Sequence, residues 1–299
     1  MKEGTMTNSR ILMQEFDYYS PTTLPEALHF LKEHGVEAKV MAGGTDLLVQ
    51  MKQEIIAPKY LLNIRNIQGL CMIEHGKDLK VGAAVLLNDA LLFFKGDKRF
   101  GALSDALECL AEVQVRNMGT VGGNLCNASP AADSAPPLLV YDAKVKLANA
   151  QGERILSLED FFKDVNKTDL STDEMMTEIL LPYPEDGTGG AFMKTKRVGA
   201  DISKISCAIS VKREGDICLS SKIAFGSVAK VPIRIKAAEK VLRNEKVNEA
   251  LLSRIGQLIM SEINPISDIR STAEYRREMA KILFLDVFDL AWKRAGEKK

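Results

Sequence analysis

The stretch TVGGNLCNASPAADSAPPLL, residues 120–139, carries the strongest signal in this sequence. Two adjacent glycines, Gly122 and Gly123, are followed by small residues and prolines. The stretch has neither the apolar spacing of an amphipathic helix nor the alternation of a strand, so it predicts irregular backbone. Glycine has no Cβ, so main chain of this kind can adopt positive φ and approach a ligand closely.

A second turn of the same type lies nearer the N-terminus, in AGGTDLL, residues 42–48. Successive main-chain N–H groups in such turns form a concavity that binds anions, and a helix N-terminus adds positive potential. The two turns together predict one phosphorylated ligand, and an uncharged cradle suits a diphosphate. Either Gly-Gly pair alone is more often only a tight turn. Neither turn matches the dinucleotide GxGxxG pattern or the nucleotide phosphate loop.

Composition limits the possible function classes. The chain has 299 residues, 46% of them hydrophobic, with 40 basic and 40 acidic side chains. This is the composition of a globular protein with a sizeable core, and balanced charge does not favour nucleic acid or an anionic membrane as a partner. The sequence contains neither a membrane-spanning apolar run nor a secretory pattern, so we expect a cytoplasmic protein.

The sequence contains no pattern of metal ligands or of a nucleophile with its base. The cysteines form no CxxC pair and are odd in number: Cys71, Cys109, Cys126, Cys207 and Cys218. We therefore expect free thiols and no metal or iron–sulfur site in this chain. The three histidines are scattered, and GxSxG is absent, so a serine hydrolase is not indicated. We predict no catalytic side chains.

Local patterns predict an α+β protein in two parts. TLPEALHFLKEHG predicts a capped helix, EAKVMAGGTDLLVQMK a strand, glycine turn and helix, and ALSDALECLAEVQV one further helix. Asn88 is the expected cap of a helix that ends near Leu92. Hairpins are predicted around NAQG and at Gly215, and EDGTGG, residues 185–190, is the predicted linker. The expected divisions are a polar extension (1–9), a first domain (10–186) and a C-terminal domain (187–299).

The quoted motifs resemble the FAD-binding subunit of the xanthine dehydrogenase family of molybdenum hydroxylases. The resemblance continues through KRVGADISKISCAIS, SVAKVPIRIKAAEKVL and NPISDIRSTAEYRREMAKIL, in the family's order and spacing. It implies a two-subdomain FAD-binding domain of the PCMH type in residues 10–186. A smaller α+β domain, an antiparallel sheet with helices, would follow it.

The resemblance also implies which residues bind the cofactor. Residues 42–48 and 120–124 would hold the pyrophosphate, and Asp133 would lie near the adenosine end. Met176 would lie near the flavin, although an ordinary core methionine is an equal alternative. Lys194 would reach the flavin, with Lys196 as the alternative because the spacing to the DIS motif is one residue short. The expected set is Ala42, Gly43, Gly44, Thr45, Asp46, Leu47, Leu48, Thr120, Val121, Gly122, Gly123, Asn124, Asp133, Met176 and Lys194.

The implied function is electron transfer through non-covalently bound FAD. The resemblance places molybdopterin on a large partner subunit and 2Fe–2S clusters on a small one, in a dimer of heterotrimers. Electrons would pass from the clusters through FAD to an acceptor such as NAD+. The hydroxylated substrate stays open between purine, nicotinate-like heterocycle, aldehyde and carbon monoxide. Two alternatives remain: a self-contained flavoenzyme with its own substrate, and a scaffold subunit that has lost the cofactor.

Overall fold

The computed structural model describes residues 14–296, so the predicted extension 1–9 lies outside the described residues. The described residues begin with a small parallel sheet and two helices. Its elements are β1 (Asp17–Tyr19), α1 (Leu24–His34), β2 (Ala38–Met41), α2 (Leu47–Lys52) and β3 (Tyr60–Asn63). The strand order is β1-β3-β2, and both pairings are parallel. The predicted cap of α1 is confirmed, because Thr23 and Glu26 form a reciprocal capping box.

A five-stranded antiparallel sheet and six short helices form the second unit. The strands of this unit are β4 (Ile73–Glu74), β5 (Leu79–Gly82), β6 (Lys144–Asn149), β7 (Gly152–Ser157), β8 (Phe162–Asp164), β9 (Lys167–Thr168) and β10 (Met175–Leu181). The helices are α3 (Leu87–Phe94), α4 (Gly101–Cys109), α5 (Val113–Arg116), α6 (Val121–Cys126), α7 (Ala135–Val140) and α8 (Leu158–Phe161). The large sheet has the order β4-β5-β10-β6-β7, and β8 pairs with β9. The predicted hairpin around NAQG is confirmed by β6 and β7.

The C-terminal unit is an antiparallel sheet packed against helices. Its elements are β11 (Thr188–Thr195), β12 (Ile205–Glu214), β13 (Ile217–Gly226), β14 (Ile233–Arg234), α9 (Lys236–Leu242), β15 (Glu245–Lys246), α10 (Glu249–Glu262) and α11 (Ala273–Gly296). Strands run in the order β11-β12-β13-β14, with β15 also paired to β13. The hairpin at Gly215, where φ is +55°, is confirmed. The α+β fold with a C-terminal sheet-and-helix unit is therefore confirmed.

The start of β11 joins the two parts of the chain closely. A Cβ on Gly189 would lie 2.3 Å from the Ala291 carbonyl oxygen of α11. A Cβ on Gly190 would lie 2.2 Å from the Tyr141 hydroxyl on the opposite face. Two adjacent glycines thus let the C-terminal sheet pack tightly on both faces. The prediction of a linker is wrong for the second half of EDGTGG, because Thr188–Gly190 is strand.

Three local predictions differ from the structure. Asn88 is not a cap: α3 begins at Leu87, whose N–H donates to the Gly119 carbonyl 2.9 Å away. ALSDALECLAEVQV is two helices, because Ala111 adopts φ +48° between α4 and α5. The stretch 120–139 is less irregular than expected, since it contains α6 and all but the last residue of α7. Within residues 14–296, no helix is both long and apolar enough to cross a bilayer.

Candidate functional site

A cleft of about 950 Å³ lies where the glycine turns meet the C-terminal unit. This volume is at the upper end of the range for small-molecule sites, about 300–1,000 Å³. Most of the predicted site residues line the cleft: Ala42, Gly43, Gly44, Thr45, Asp46, Leu47, Thr120, Gly123, Asn124, Asp133 and Lys194. The fold therefore brings together residues that are up to 152 positions apart in the sequence, as counted from 42 to 194.

The first glycine turn presents open main-chain donors. The turn joins β2 to α2, and Gly44 adopts φ +72° while Asp46 is in the right-handed helical region. In the part of the chain that the structure describes, the N–H groups of Gly43, Gly44, Thr45 and Asp46 donate to no main-chain acceptor. Consecutive open N–H groups around a left-handed residue form an anion-binding concavity, and the N-terminus of α2 adds positive potential.

Gly43 is required for close packing between the two turns. A Cβ on Gly43 would lie 1.9 Å from the Met118 carbonyl oxygen, and one on Gly119 would lie 3.3 Å from the Thr45 hydroxyl. The side chains of Gln50 and Asn127 join α2 to the end of α6 through a 3.2 Å hydrogen bond. The first turn thus rests directly on the segment that leads into the second.

The second glycine turn differs from the first, because its N–H groups are already used inside the protein. Gly122 donates to the Ala83 carbonyl at 3.0 Å, and Val121 donates to the Val85 carbonyl at the same distance. Gly123 donates to the Thr120 hydroxyl at 3.0 Å, which caps α6. The two turns therefore differ in their main-chain donors, and the contact of residues 120–124 with the pyrophosphate stays a prediction. Only Gly123 is exposed at this turn, so it supplies space rather than a free donor.

A buried ion pair closes the cleft on the side of the C-terminal unit. Lys194 Nζ lies 2.6 Å from Asp133 Oδ2, and the side chains are only 2% and 8% exposed. Ser203 donates its hydroxyl to Asp133 Oδ1. Burial raises the pKa of the Asp133 carboxyl, while the Lys194 ammonium and the Ser203 hydroxyl oppose this shift. Both oxygens of Asp133 are thus occupied by protein donors, and its predicted contact with the adenosine end of FAD stays a prediction.

The structure separates the two candidate lysines. Lys194 lines the cleft and also donates to the Asp201 carbonyl at 3.3 Å. Lys196 is exposed, and its ammonium donates to the Gly199 carbonyl at 2.5 Å. The geometry therefore favours Lys194, whose contact with the flavin stays a prediction.

Four of the predicted site residues do not line the cleft. Met176 is 3% exposed and packs in the apolar core around the large antiparallel sheet. Val121 and Gly122 are buried, and a Cβ on Gly122 would lie 2.6 Å from the Ala83 carbonyl oxygen. Leu48 lies behind the first turn, with its Cδ1 3.0 Å from the position of a Cβ on Gly44. These residues pack behind the turns or in the core and do not face the cleft.

Sequence reasoning missed an apolar wall of the cleft. Leu110 and Ala111 line it from the corner between α4 and α5, and Ile202 lines it from the C-terminal unit. The corner is held by Arg116, whose guanidinium donates to the Leu110 carbonyl at 2.9 Å and to the Ala111 carbonyl at 2.7 Å. The sequence gives no local signal for this corner, because the same residues continue a helical pattern.

The thiols and acidic groups near the cleft are not arranged for covalent or metal chemistry. Burial raises the pKa of the Cys126 thiol, which lines the cleft, to about 12. Burial, with a smaller contribution from Asp133, raises the pKa of Cys109 to about 11. Both are therefore neutral thiols near pH 7 and weak nucleophiles. Among residues 14–296, no group of histidine, cysteine, aspartate and glutamate side chains could hold a metal ion.

Comparison with known proteins identifies the family of this chain. Residues 14–184 match the FAD binding domain in molybdopterin dehydrogenase. The chain belongs to this family. Residues 190–291, about a third of the chain, match the CO dehydrogenase flavoprotein C-terminal domain.

Relatives match this family member over nearly their whole length. The glyceraldehyde dehydrogenase medium chain of Sulfolobus acidocaldarius is 33% identical over 275 residues, which cover 92% of this chain and 97% of the relative. The xanthine dehydrogenase FAD-binding subunit of Escherichia coli O157:H7 is 30% identical over 286 residues, with 94% and 97% covered. A solved structure of carbon monoxide dehydrogenase from Hydrogenophaga pseudoflava superposes with a TM-score of 0.90 at 30% identity, covering 94% of this chain and 98% of that chain.

These matches confirm the resemblance seen in the sequence. This flavoprotein is an oxidoreductase subunit of the xanthine and carbon monoxide dehydrogenase type, with FAD as its cofactor. The cleft fits that cofactor on structural grounds: it is large, it has a concavity of open N–H groups for a diphosphate, and it lacks a side chain at Gly123.

Proposed function

We propose that this chain holds FAD non-covalently in the cleft and carries electrons between partner subunits and an acceptor such as NAD+. The single observation that carries the proposal is the row of open N–H groups at Gly43–Asp46, facing a cleft of about 950 Å³. The complete predicted set of site residues, from Ala42 to Lys194, is retained within this proposal. FAD supplies chemistry that accepts single electrons and releases them in pairs.

The residues of the chain bind and orient the cofactor in this proposal. The open donors of the first turn hold the diphosphate, and the exposed Gly123 leaves room for it on the opposite side. Leu110, Ala111 and Ile202 offer apolar contacts to planar rings, and they exclude water. Lys194 and Asp133 form the polar wall, with their charges balanced against each other.

The charged groups buried in the cleft wall favour electron transfer over acid–base catalysis. Glu174 is bound by the Arg154 guanidinium at 2.7 Å, and the hydrogen bonds from Arg154 lower the pKa of Glu174 despite its burial. Asp133 is paired with Lys194. Carboxylates that are tied to cations in this way are less available as general bases. These two carboxylates support the subunit proposal over a self-contained flavoenzyme, whereas burial alone raises the pKa of Asp46, which also lines the cleft.

The proposed partners are a large molybdopterin subunit and a small 2Fe–2S subunit, assembled as a dimer of heterotrimers. Support comes from relatives that are named as medium chains or FAD subunits. Relatives of similar identity are named for glyceraldehyde, xanthine, carbon monoxide, caffeine and nicotinate. One flavoprotein type thus serves many substrates, and we propose that the substrate is selected on the large subunit.

Free cysteines support a cytoplasmic, reducing location.

The test is to purify the chain and measure its flavin spectrum, its FAD-to-protein ratio and its exchange of electrons with NADH and dyes. One FAD per chain supports the proposal, and a folded chain that takes up no flavin would identify a scaffold subunit instead. NADH:dye activity supports NAD+ as the acceptor. If another donor reduces the flavin and NADH does not, the flavin role stands but NAD+ is not the acceptor.

A further inference from the structure

A chain of buried polar groups runs from the cleft into the C-terminal unit. Its members are Asp133, Ser203, Ser227 and Arg276, all at most 6% exposed. Ser203 donates its hydroxyl to Asp133, and its carbonyl accepts the hydroxyl of Ser227 at 3.2 Å. The Ser227 carbonyl accepts from Arg276 Nη1 at 3.2 Å, and Arg276 Nη2 donates to the Asp268 carboxylate at 2.8 Å.

Ser227 is held in an unfavourable backbone conformation within this chain. Its φ is +63°, a region that residues other than glycine rarely adopt. Its N–H donates to the Pro130 carbonyl at 2.8 Å, in the loop that leads to Asp133. Together with its bonds to Ser203 and Arg276, this contact fixes all three polar groups of Ser227. Strained residues persist only where their surroundings hold them, and they concentrate at functional sites.

We propose that Ser203, supported by Ser227, is a positioning residue of the cleft that holds the Asp133 carboxylate against the Lys194 ammonium. Lys194 is thereby kept in the cleft wall. The inference rests on the proposed function, because it takes the cleft to be the FAD site. Neither serine touches the cofactor in this proposal, and both act through Asp133.

The charges around Asp133 determine how the loss of Ser203 would act. The groups that face its carboxyl are the Lys194 ammonium, the Ser203 hydroxyl, the more distant Lys196 ammonium and the neutral Cys109 thiol. Burial already raises the pKa of Asp133, and Ser203 is one of the donors that oppose this shift. Removing this donor therefore raises the pKa further, and Asp133 becomes protonated at a higher pH. A protonated Asp133 no longer holds Lys194 by charge, so FAD affinity falls.

The experiment measures the FAD dissociation constant against pH, by the fluorescence of free flavin, for the full chain and three variants. Affinity falls as the pH is lowered, and Ser203→Ala moves the midpoint of this fall upward by about one to two pH units. Ser203→Cys, which keeps a weak donor of similar size, gives an intermediate midpoint. Ser227→Gly relieves the strain but removes the hydroxyl, and gives a smaller shift in the same direction.

Midpoints in the order wild type, Ser203→Cys, Ser203→Ala support the inference. A Ser203→Ala profile that superposes on the wild type would overturn it, as would a downward shift. If Ser203→Ala does not fold, Ser227→Gly provides the test. An unshifted pH profile of FAD affinity in Ser227→Gly would contradict a supporting role for the Ser227 hydroxyl. A wild-type chain that binds no FAD at any pH would refute the proposed function itself, which is a distinguishable result.

Discussion

Gly123→Val tests the site most selectively, because the position faces the cleft and contacts little else. A Cβ at residue 123 would meet only the Thr120 hydroxyl, at 2.9 Å, within 4 Å. Displacing that hydroxyl weakens the cap of α6 and costs about 1 kcal/mol, which lowers the melting temperature by about 2–4 °C. We therefore expect the variant to fold.

The loss of FAD affinity should equal or exceed the loss of stability. The valine methyl groups occupy space that the proposed diphosphate needs, and overpacking of this kind costs about 1–3 kcal/mol. The dissociation constant for FAD should rise by about 5-fold to 150-fold, since about 1.4 kcal/mol corresponds to a factor of ten. The assay is fluorescence titration with FAD, alongside circular dichroism and a thermal melt.

Two glycines provide matched controls for Gly123→Val. Gly69→Val should change neither property, because a Cβ there has no atom within 4 Å. Gly122→Val should instead unfold the chain, because its Cβ would lie 2.6–2.8 Å from the backbone and Cβ of Ala83. A folded Gly123→Val protein with wild-type FAD affinity would refute the assignment of this turn to the cofactor.

Three further predictions follow from the same geometry. Acid precipitation should release all of the yellow cofactor, because the thiol in the cleft is neutral. The released cofactor should be FAD and not FMN. Flavin that stays with the precipitated protein would contradict non-covalent binding. Lys194→Met should lower the free energy of unfolding by about 3–5 kcal/mol, because it leaves the Asp133 carboxylate buried without its cation, while Lys196→Met should have little effect. The pKa of Asp133 is raised in the folded state, so the free energy of unfolding that Lys194→Met loses should be largest at neutral pH and smaller once acid neutralises Asp133. Urea unfolding at several pH values measures this dependence. A loss of unfolding free energy that grows in acid would contradict it.

Features built from neighbouring residues could be predicted from the sequence. The capping box at Thr23, the hairpin at Gly215 and the first glycine turn depend on local backbone preferences, and all lie where expected. The family resemblance added the position of Lys194, which the structure places in the cleft wall. The capping box, the hairpin and the glycine turn each depend on a short span of sequence, so they can be predicted without knowledge of tertiary contacts.

Features that depend on individual side-chain or long-range contacts could not be predicted. The break at Ala111 is stabilised by Arg116, whose guanidinium reaches back to two carbonyls of the corner. The difference between the turns arises because carbonyls of Ala83 and Val85 accept the N–H groups of the second turn. Ser203 reaches an aspartate 70 positions away. The contacts of the second turn and of Ser203 join residues far apart in the sequence, and no local pattern encodes the return of the Arg116 guanidinium to carbonyls five and six positions before it.

Anaerobic mixing of the FAD-loaded chain with candidate substrates tests the proposed electron-transfer role most directly. The chain alone should show no loss of the visible absorbance of oxidised flavin with purines, aldehydes, nicotinate or carbon monoxide. Addition of the molybdopterin and 2Fe–2S subunits, with the substrate of the complex, should bleach the flavin and produce hydroxylated or oxidised product. Bleaching of the isolated chain by one of these substrates, with no partner present, would contradict the electron-transfer role and identify a self-contained flavoenzyme.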